Sequence, residues 1–183
     1  RVDANSLYNI VKNYRWGNFK DLSVHFDETC TQNIVSYRSS ASRAAEALAL
    51  SGQKNKALEM LDMASREIPV EKYNDPRSLS SMVYGYIVSG QEQKGLKLAE
   101  ELKKGIFEEY DYYSSLSAYE QRFVGKQMRT KPMEYSLVVG AVSDAYNKLG
   151  QNDKGYQYLL KSIETVDKRF NSFVKNLQTM GKE

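Results

Sequence analysis

The stretch ASRAAEALALSGQKNKALEMLDMASREIP, residues 41–69, decides the fold. Ala41, Ala44, Ala45 and Leu48 recur at helical spacing, Ser51-Gly52-Gln53 interrupts them, and Ala57, Leu61 and Ala64 resume the pattern until Pro69 forbids its continuation. Two helices joined by so short a turn lie antiparallel. Alanines at the facing positions let the axes approach, and the larger side chains fill the gaps between them. The reading is a helical hairpin.

Upstream, Cys30, Ile34, Tyr37, Ala41, Ala44 or Ala45, and Leu48 recur at steps of four and three, so the first helix of this hairpin is expected to start at an Asp27 cap and to carry Cys30 on its apolar face. Downstream the pattern recurs. Asp75-Pro76 is a strong helix start, because the carboxylate accepts from orphan amides and proline at the first position loses no bond. Leu79, Met82, Val83 and Tyr86 follow, then Ser89-Gly90-Gln91, then Gly95, Ala99 and Leu102. A third copy runs from Pro132 through Val139, Val142, Ser143 and Tyr146, turns at Leu149-Gly150-Gln151 and returns through Gly155 and Leu159.

The order of small, large, turn, small, large and proline matches the tetratricopeptide repeat by spacing, although Ala41 and Leu48 stand where that pattern usually has bulky aromatics. The turn glycines are 38 and 60 residues apart, against a period of about 34 for that repeat, so the second interval holds an insertion. The expected fold is all-α: tetratricopeptide-like antiparallel hairpins in a right-handed array forming a single domain. Residues 1–27 are read as an N-terminal helix and extended connection, 28–69 as hairpin 1, 75–107 as hairpin 2, 108–131 as an insertion, and 132–180 as hairpin 3 with a long capping helix.

Asp3, Asn5 or Ser6 can cap the N-terminal helix, whose Leu7, Ile10, Val11 and Tyr14 share a face before Trp16-Gly17-Asn18 ends it. Phe19, Leu22, Val24 and Phe26 alternate loosely and predict an extended segment pinned by apolar side chains. The insertion holds Tyr110-Asp111-Tyr112-Tyr113 and a helical pattern through Leu116, Tyr119 and Phe123. This is read as an extra helix or a long extension of the preceding one, expected to end near Thr130, because proline disfavours the helical conformation in the residue before it. Tyr156, Leu159, Ile163, Val166, Phe170, Phe173, Leu177 and Met180 form a seam at steps of three and four. Its first half is expected to pack in hairpin 3. For the second half an internal cap is favoured, with a homodimer as the alternative.

A chain of 183 residues buries roughly 70% of its unfolded surface and needs neither metal nor disulfide. With a single cysteine, Cys30, an internal disulfide is impossible. Lys and Arg number 26 against 23 Asp and Glu, interspersed, so the net charge of +3 leaves no footprint for nucleic acid. No run approaches the roughly 18 apolar residues of a membrane span, and the abrupt start at Arg1-Val2-Asp3 reads as part of something longer.

Catalysis has little to stand on. His25 and Cys30 could pair as base and nucleophile, with Asp27 or Glu28 orienting the imidazole, but no motif surrounds them. Asp27-Glu28 reads as a helix start and Glu108-Glu109 as solvated surface. There is no glycine-rich phosphate loop and no set of metal ligands, so neither cofactor nor metal is expected. Tyr110 to Tyr113, with Lys103, Lys104, Lys126 and Arg129, could imitate a strip for single strands or sugars, but such tyrosines more often edge a core. The expected binding surface is instead the concave face of the first helices, carrying Ser42, Glu46, Ser80, Tyr84, Ile87, Asp144 and Asn147, and its expected partner is a protein or peptide.

Tyr8-Asn9, Tyr14-Arg15-Trp16-Gly17-Asn18, Phe26-Asp27-Glu28, Arg38, the Ala41-x-Arg43-x-Ala45-Glu46-Ala47-Leu48 run and Gly52 together resemble the C-terminal soluble part of a bacterial membrane-protein family. Members carry a multi-span N-terminal domain of the lipid-linked-sugar-dependent glycosyltransferase type, akin to protein O-mannosyltransferases. Asp111-Tyr112-Tyr113-Ser114-Ser115-Leu116 is similar to that family's insertion. The resemblance implies a location on the periplasmic side of the inner membrane, with catalytic carboxylates in a membrane domain outside this chain. It also implies the parent's own membrane domain or its acceptor proteins as partners.

Overall fold

The computed structural model describes residues 3–180, with the side chains of all of these except 167, 169 and 171–180. Seven helices account for the regular structure of the described residues: α1 (Ala4–Lys12), α2 (Glu28–Leu50), α3 (Lys54–Glu67), α4 (Pro76–Val88), α5 (Glu92–Ser115), α6 (Ala118–Lys148) and α7 (Asn152–Met180). The chain is all-α.

The starts of these helices are chemically explicit. Asp3, Asp27 and Asp75 accept from the backbone amides of Ser6, Cys30 and Ser78, and Pro76 occupies the first turn of α4. Ser117 and Glu120 cap α6 reciprocally. Gly52, Gly90 and Gly150 follow α2, α4 and α6 at φ of 83°, 93° and 74°. An L side chain is strained there, and glycine ends each helix without that cost.

α2 packs on α3, α4 on α5 and α6 on α7, while α2, α4 and α6 lie next to one another in chain order. Each return helix also touches the first helix of the next pair, α3 with α4 and α5 with α6. Close approach has residue-level causes. A Cβ on Gly95 would meet Ile87 Cγ1 at 2.7 Å and the Val83 carbonyl at 2.9 Å, and one on Gly155 would meet the Ser143 carbonyl at 2.9 Å. One continuous core of Ala44, Ala45, Leu48, Leu61, Leu79, Val83, Tyr86, Val138, Val142 and Tyr146 runs through the three pairs.

Several sequence expectations need correction. α1 stops at Lys12, with Asn13 as its cap, before Trp16-Gly17 is reached. The 17–23 segment is a set of turns, closed by Asp21 N–H to the Asn18 carbonyl and Val24 N–H to the Asp21 carbonyl, rather than an extended strand-like run. Phe19 and Phe26 pin it against Ile34, Val35, Ile68 and Tyr73, whereas Leu22 is exposed. Cys30 is exposed, because the first turn of α2 lies outside the packed part of that helix.

The largest correction is at Pro132, which lies inside α6. Residues 108–131 are therefore not a separate insertion helix: α5 extends to Ser115, and α6 begins at Ala118 and runs through the proline. The missing amide is tolerated because both sides of Pro132 are held. Met128 and Tyr135 are buried, and Lys131 bonds Glu134 at 2.9 Å and also bridges to Glu109 of α5.

α7 covers α5 and α6 through Phe170, which meets Tyr110 edge-on at 4.8 Å between ring centroids and also contacts Phe107 and Tyr135. Its inward residues are Gly155, Ser162 and Phe170, with Tyr158, Leu159 and Val166 half-buried, while Tyr156 and Ile163 of the expected seam face outward. The side chains of Phe173, Leu177 and Met180 lie outside the described residues.

Candidate functional site

A groove of about 950 Å³ opens along α2, α4 and α6. Its lining follows the repeat. Ser42, Ser80 and Gly140 each stand ten residues before their turn glycine, and Glu46, Tyr84 and Asp144 each stand six before it. One tier of the groove is thus built of small residues, and the next, about one helical turn away, of an acid, a tyrosine and an acid.

The small tier is a closed floor. Ser42 donates to the Arg38 carbonyl at 3.0 Å and Ser80 to the Pro76 carbonyl at 2.6 Å, so both hydroxyls are turned back onto their own helices. Gly140 leaves open space where a Cβ would be. In the next tier the Tyr84 hydroxyl faces both acids. Burial pushes its pKa up to about 12, helped by the charge and acceptor oxygens of Glu46 and by the charge of Asp144.

Six of the seven residues expected on this surface line the groove: Ser42, Glu46, Ser80, Tyr84, Asp144 and Asn147. Ile87 does not. It is 1% exposed and packs beneath Gly95 in the α4–α5 pair. Ile87, three residues on from Tyr84, is offset by only about 60° around the helix, and that offset is enough to put it under the hairpin partner instead of in the groove. Sequence reasoning missed Arg43, Arg77, Met133, Leu137 and Lys148, which also line the groove. Arg43 could have been found as the helical neighbour of Ser42 at the level of Ser81 and Ala141. Met133 and Leu137 fall within the third hairpin as read from the sequence, and stepping back from Asp144 and Gly140 by three and four along the helix reaches both.

Arg43, Glu46, Arg77, Asp144 and Lys148 have no ion-pair partner among the described residues. Elsewhere lysines and acids are paired across helices, as in Lys12 with Glu59, Lys94 with Asp62 and Lys154 with Glu92. The groove therefore concentrates charges of both signs that the fold itself leaves uncompensated.

The other candidate centres are dispersed. His25 and Cys30 are both exposed, and the Cys30 thiol is pushed up by its hydrogen bond to Asp27, which disfavours the thiolate a nucleophile needs. Glu108 sits 3.6 Å from Lys104, and Glu109 is taken by Lys131. Tyr110 is buried against Phe170 and Tyr112 is exposed, so the tyrosine run divides between core and surface. Lys103 is paired with Glu100 at 2.6 Å and lies over the Tyr158 ring. Among the described residues no group of three or more His, Cys, Asp or Glu could hold a metal ion, and no helix is long and apolar enough to cross a membrane.

Comparison with protein-family models, with curated proteins and with solved structures yields no match to this chain.

Proposed function

We propose that the chain is a non-catalytic, tetratricopeptide-like protein-binding module that holds a protein segment in the groove of α2, α4 and α6. The observation that carries this reading is the unpartnered charge lining the groove, Glu46 and Asp144 at equivalent positions of α2 and α6 with Arg43, Arg77 and Lys148 beside them, over a floor of small residues. A backbone can approach small side chains closely, and unpaired charges at the rim select among segments. The resemblance stated for Trp16-Gly17-Asn18 and Phe26-Asp27-Glu28 extends the proposal: the module belongs to the periplasmic part of a membrane glycosyltransferase-like protein and docks the parent or its acceptors.

Gly140→Trp tests the groove directly, since the indole would fill open space without meeting a neighbour at Cβ. Segments selected from a displayed peptide library on the wild-type chain are expected to lose binding to this variant at unchanged melting temperature. Equal binding to both would sink the groove as the site. The upstream reading frame tests the membrane connection: a multi-span segment is expected, and its absence would end that part of the proposal.

A second reading is self-association through α7, favoured by the outward exposure of Tyr156, Leu160 and Ile163 on one face of that helix. Light scattering across concentrations separates the two: a dimer abolished by Ile163→Glu supports it, and a monomer at all concentrations rejects it.

A further inference from the structure

Lys56, Lys94 and Lys154 each stand four residues after a turn glycine. The later two reach across to the preceding hairpin: Lys94 bonds Asp62 of α3 and Lys154 bonds Glu92 of α5, each lying over a tyrosine ring of its own hairpin. Lys56 makes the corresponding reach to α1. It donates to Asn5 Oδ1 at 3.3 Å and lies 5.6 Å from the centroid of the Tyr8 ring. α1 touches α2 and α3, so against hairpin 1 it takes the place that α3 and α5 take against hairpins 2 and 3. The outer face of hairpin 1 is therefore a helix-receiving face, and α1 is the helix on it. Three polar contacts make the match: Asn5 accepts from Lys56, Tyr8 donates to Glu59, and Lys12 pairs with Glu59 at 3.2 Å.

This occupant is lightly held. α1 has nine residues, fewer than the roughly 12–15 at which an isolated helix becomes even marginal in water. It buries only Tyr8 and Val11, and both partners of the Lys12–Glu59 pair are about half exposed. No main-chain hydrogen bond joins α1 to another helix among the described residues. Asn5 offers Lys56 a neutral amide where α3 and α5 offer carboxylates to the equivalent lysines, and an ionised acceptor makes the stronger bond. The chain beyond α1 is anchored separately. Tyr14 contacts the rings of Trp16 and Tyr37, while Phe19 and Phe26 pack in a second cluster with Ile34, Val35, Ile68 and Tyr73. α1 can thus swing out about Asn13 with that connection in place, and the tether returns it at an effective concentration in roughly the millimolar range.

We propose that the α2–α3 face under α1 is a docking site for the helix of a partner protein, with α1 as its tethered occupant in cis. The helix that fits it carries Asp or Glu for Lys56, a tyrosine three residues on for Glu59, an apolar residue after three more, and a lysine next to that. This is the order of Asn5, Tyr8, Val11 and Lys12 with the amide replaced by an acid, and the acid is what lets a partner compete with α1.

The site stands apart from the groove, so Gly140→Trp is expected to leave it unchanged. The probe is a fluorescent peptide of residues 3–13 carrying Asn5→Asp, titrated by anisotropy onto the whole chain. A chain with Tyr8→Ala and Val11→Ala, which releases α1, is expected to bind this peptide tenfold or more tighter than the wild type does. Adding Glu59→Lys to the released chain is expected to reverse that gain. Equal binding to the wild-type and released chains, no binding to either, or indifference to Glu59→Lys would overturn the proposal. Hydrogen exchange of the unmodified chain tests the opening without any substitution. The amides of Tyr8 to Lys12 are expected to exchange a hundredfold or more faster than those of Val83 and Val142, and equal protection would overturn the proposal. A released chain that loses the wild-type melting transition would do the same, because α1 would then belong to the cooperative core.

Discussion

The Tyr86 hydroxyl donates to the Asp62 carboxylate at 2.9 Å, tying α4 to α3 of the preceding hairpin. The same arrangement recurs one repeat later, where Tyr146 donates to Glu92 at 2.8 Å. In each case a lysine of the following return helix, Lys94 or Lys154, bonds the same carboxylate and lies over the tyrosine ring, at 4.5 and 4.6 Å from its centroid. At the equivalent position of the first repeat stands Leu48, and α1 supplies the aromatic instead: Tyr8 bonds Glu59 with Lys12 and Lys56 near its ring. α1 thus completes a contact that the first hairpin cannot make for itself. Tyr86→Phe keeps the ring and removes the bond, so it is expected to cost about 1 kcal/mol in urea unfolding. Tyr146→Phe is expected to act in the same direction. No loss in either variant would show the bonds to be exchanged with water at no net gain.

The Glu92 carboxylate gives this contact a pH dependence. Lys154 first, then Tyr146, hold its pKa below the ordinary glutamate value of 4.5. A depressed folded pKa means that the stabilisation is present above about pH 4.5 and is lost as pH falls through the folded value. Because the pair is half exposed, the gain is under about 1 kcal/mol. Glu92→Gln is therefore expected to melt below the wild type at pH 7 and together with it near pH 3. A gap that persists at pH 3 would assign the effect to packing.

Arg38 is fully buried and donates to the Ile68 and Tyr73 carbonyls at 2.9 Å and to the Ser78 hydroxyl at 3.0 Å, with its Nε unpartnered. One side chain of α2 thereby fixes the whole link between the first two hairpins. Burial lowers its pKa to about 10, which leaves it charged at neutral pH. Arg38→Met is expected to cost about 3 kcal/mol or more, because it strands buried acceptors. Arg38→Lys should recover only part of this, since one ammonium cannot span three acceptors held by a planar fork. Full recovery by lysine would show that charge alone matters.

The helical glycines separate packing from propensity. Alanine at Gly95 or Gly155 would place a Cβ within 3.0 Å of backbone carbonyl oxygen, whereas at Gly105 it would meet nothing within 4 Å. Gly105→Ala is expected to stabilise by up to about 1 kcal/mol, and Gly95→Ala and Gly155→Ala to destabilise by about 1–3 kcal/mol. Thermal melts of the three variants decide it, and a stabilised Gly95→Ala would mean the hairpin opens without cost.

These residues also show what was legible in the sequence. Asp27, Asp75 and Pro76 announce helix starts through chemistry local to the chain, and Gly95 and Gly155 are recognisable because their repeat partner, Ala57, is small too. The acid, tyrosine and acid tier follows from counting back from the turn glycines. Ile87 and Cys30 were misplaced for a different reason. Periodicity defines a face without saying what covers it: Ile87 turned inward to α5, while the turn bearing Cys30 had nothing packed upon it. Arg38 enters the sequence reading only through a resemblance, and its role left no signal in the periodicity, because two of its acceptors are main-chain carbonyls of a link that no pattern describes.

Pro132 is the sharpest such case, since a local rule was overridden by contacts distant in sequence. It withholds the amide that would bond the Met128 carbonyl, and in an unsupported helix that costs about 3 kcal/mol. Here Met128 and Tyr135 on either side are buried, Lys131 bridges α6 to Glu109 of α5, and the Ser136 hydroxyl donates to the Pro132 carbonyl at 2.9 Å. Pro132→Ala restores the amide without disturbing these contacts, so it is expected to raise stability by about 1–3 kcal/mol and to slow hydrogen exchange in the turns flanking residue 132. A variant that is less stable than the wild type would show instead that the pyrrolidine ring itself is packed, and that the helix persists because of the proline rather than in spite of it.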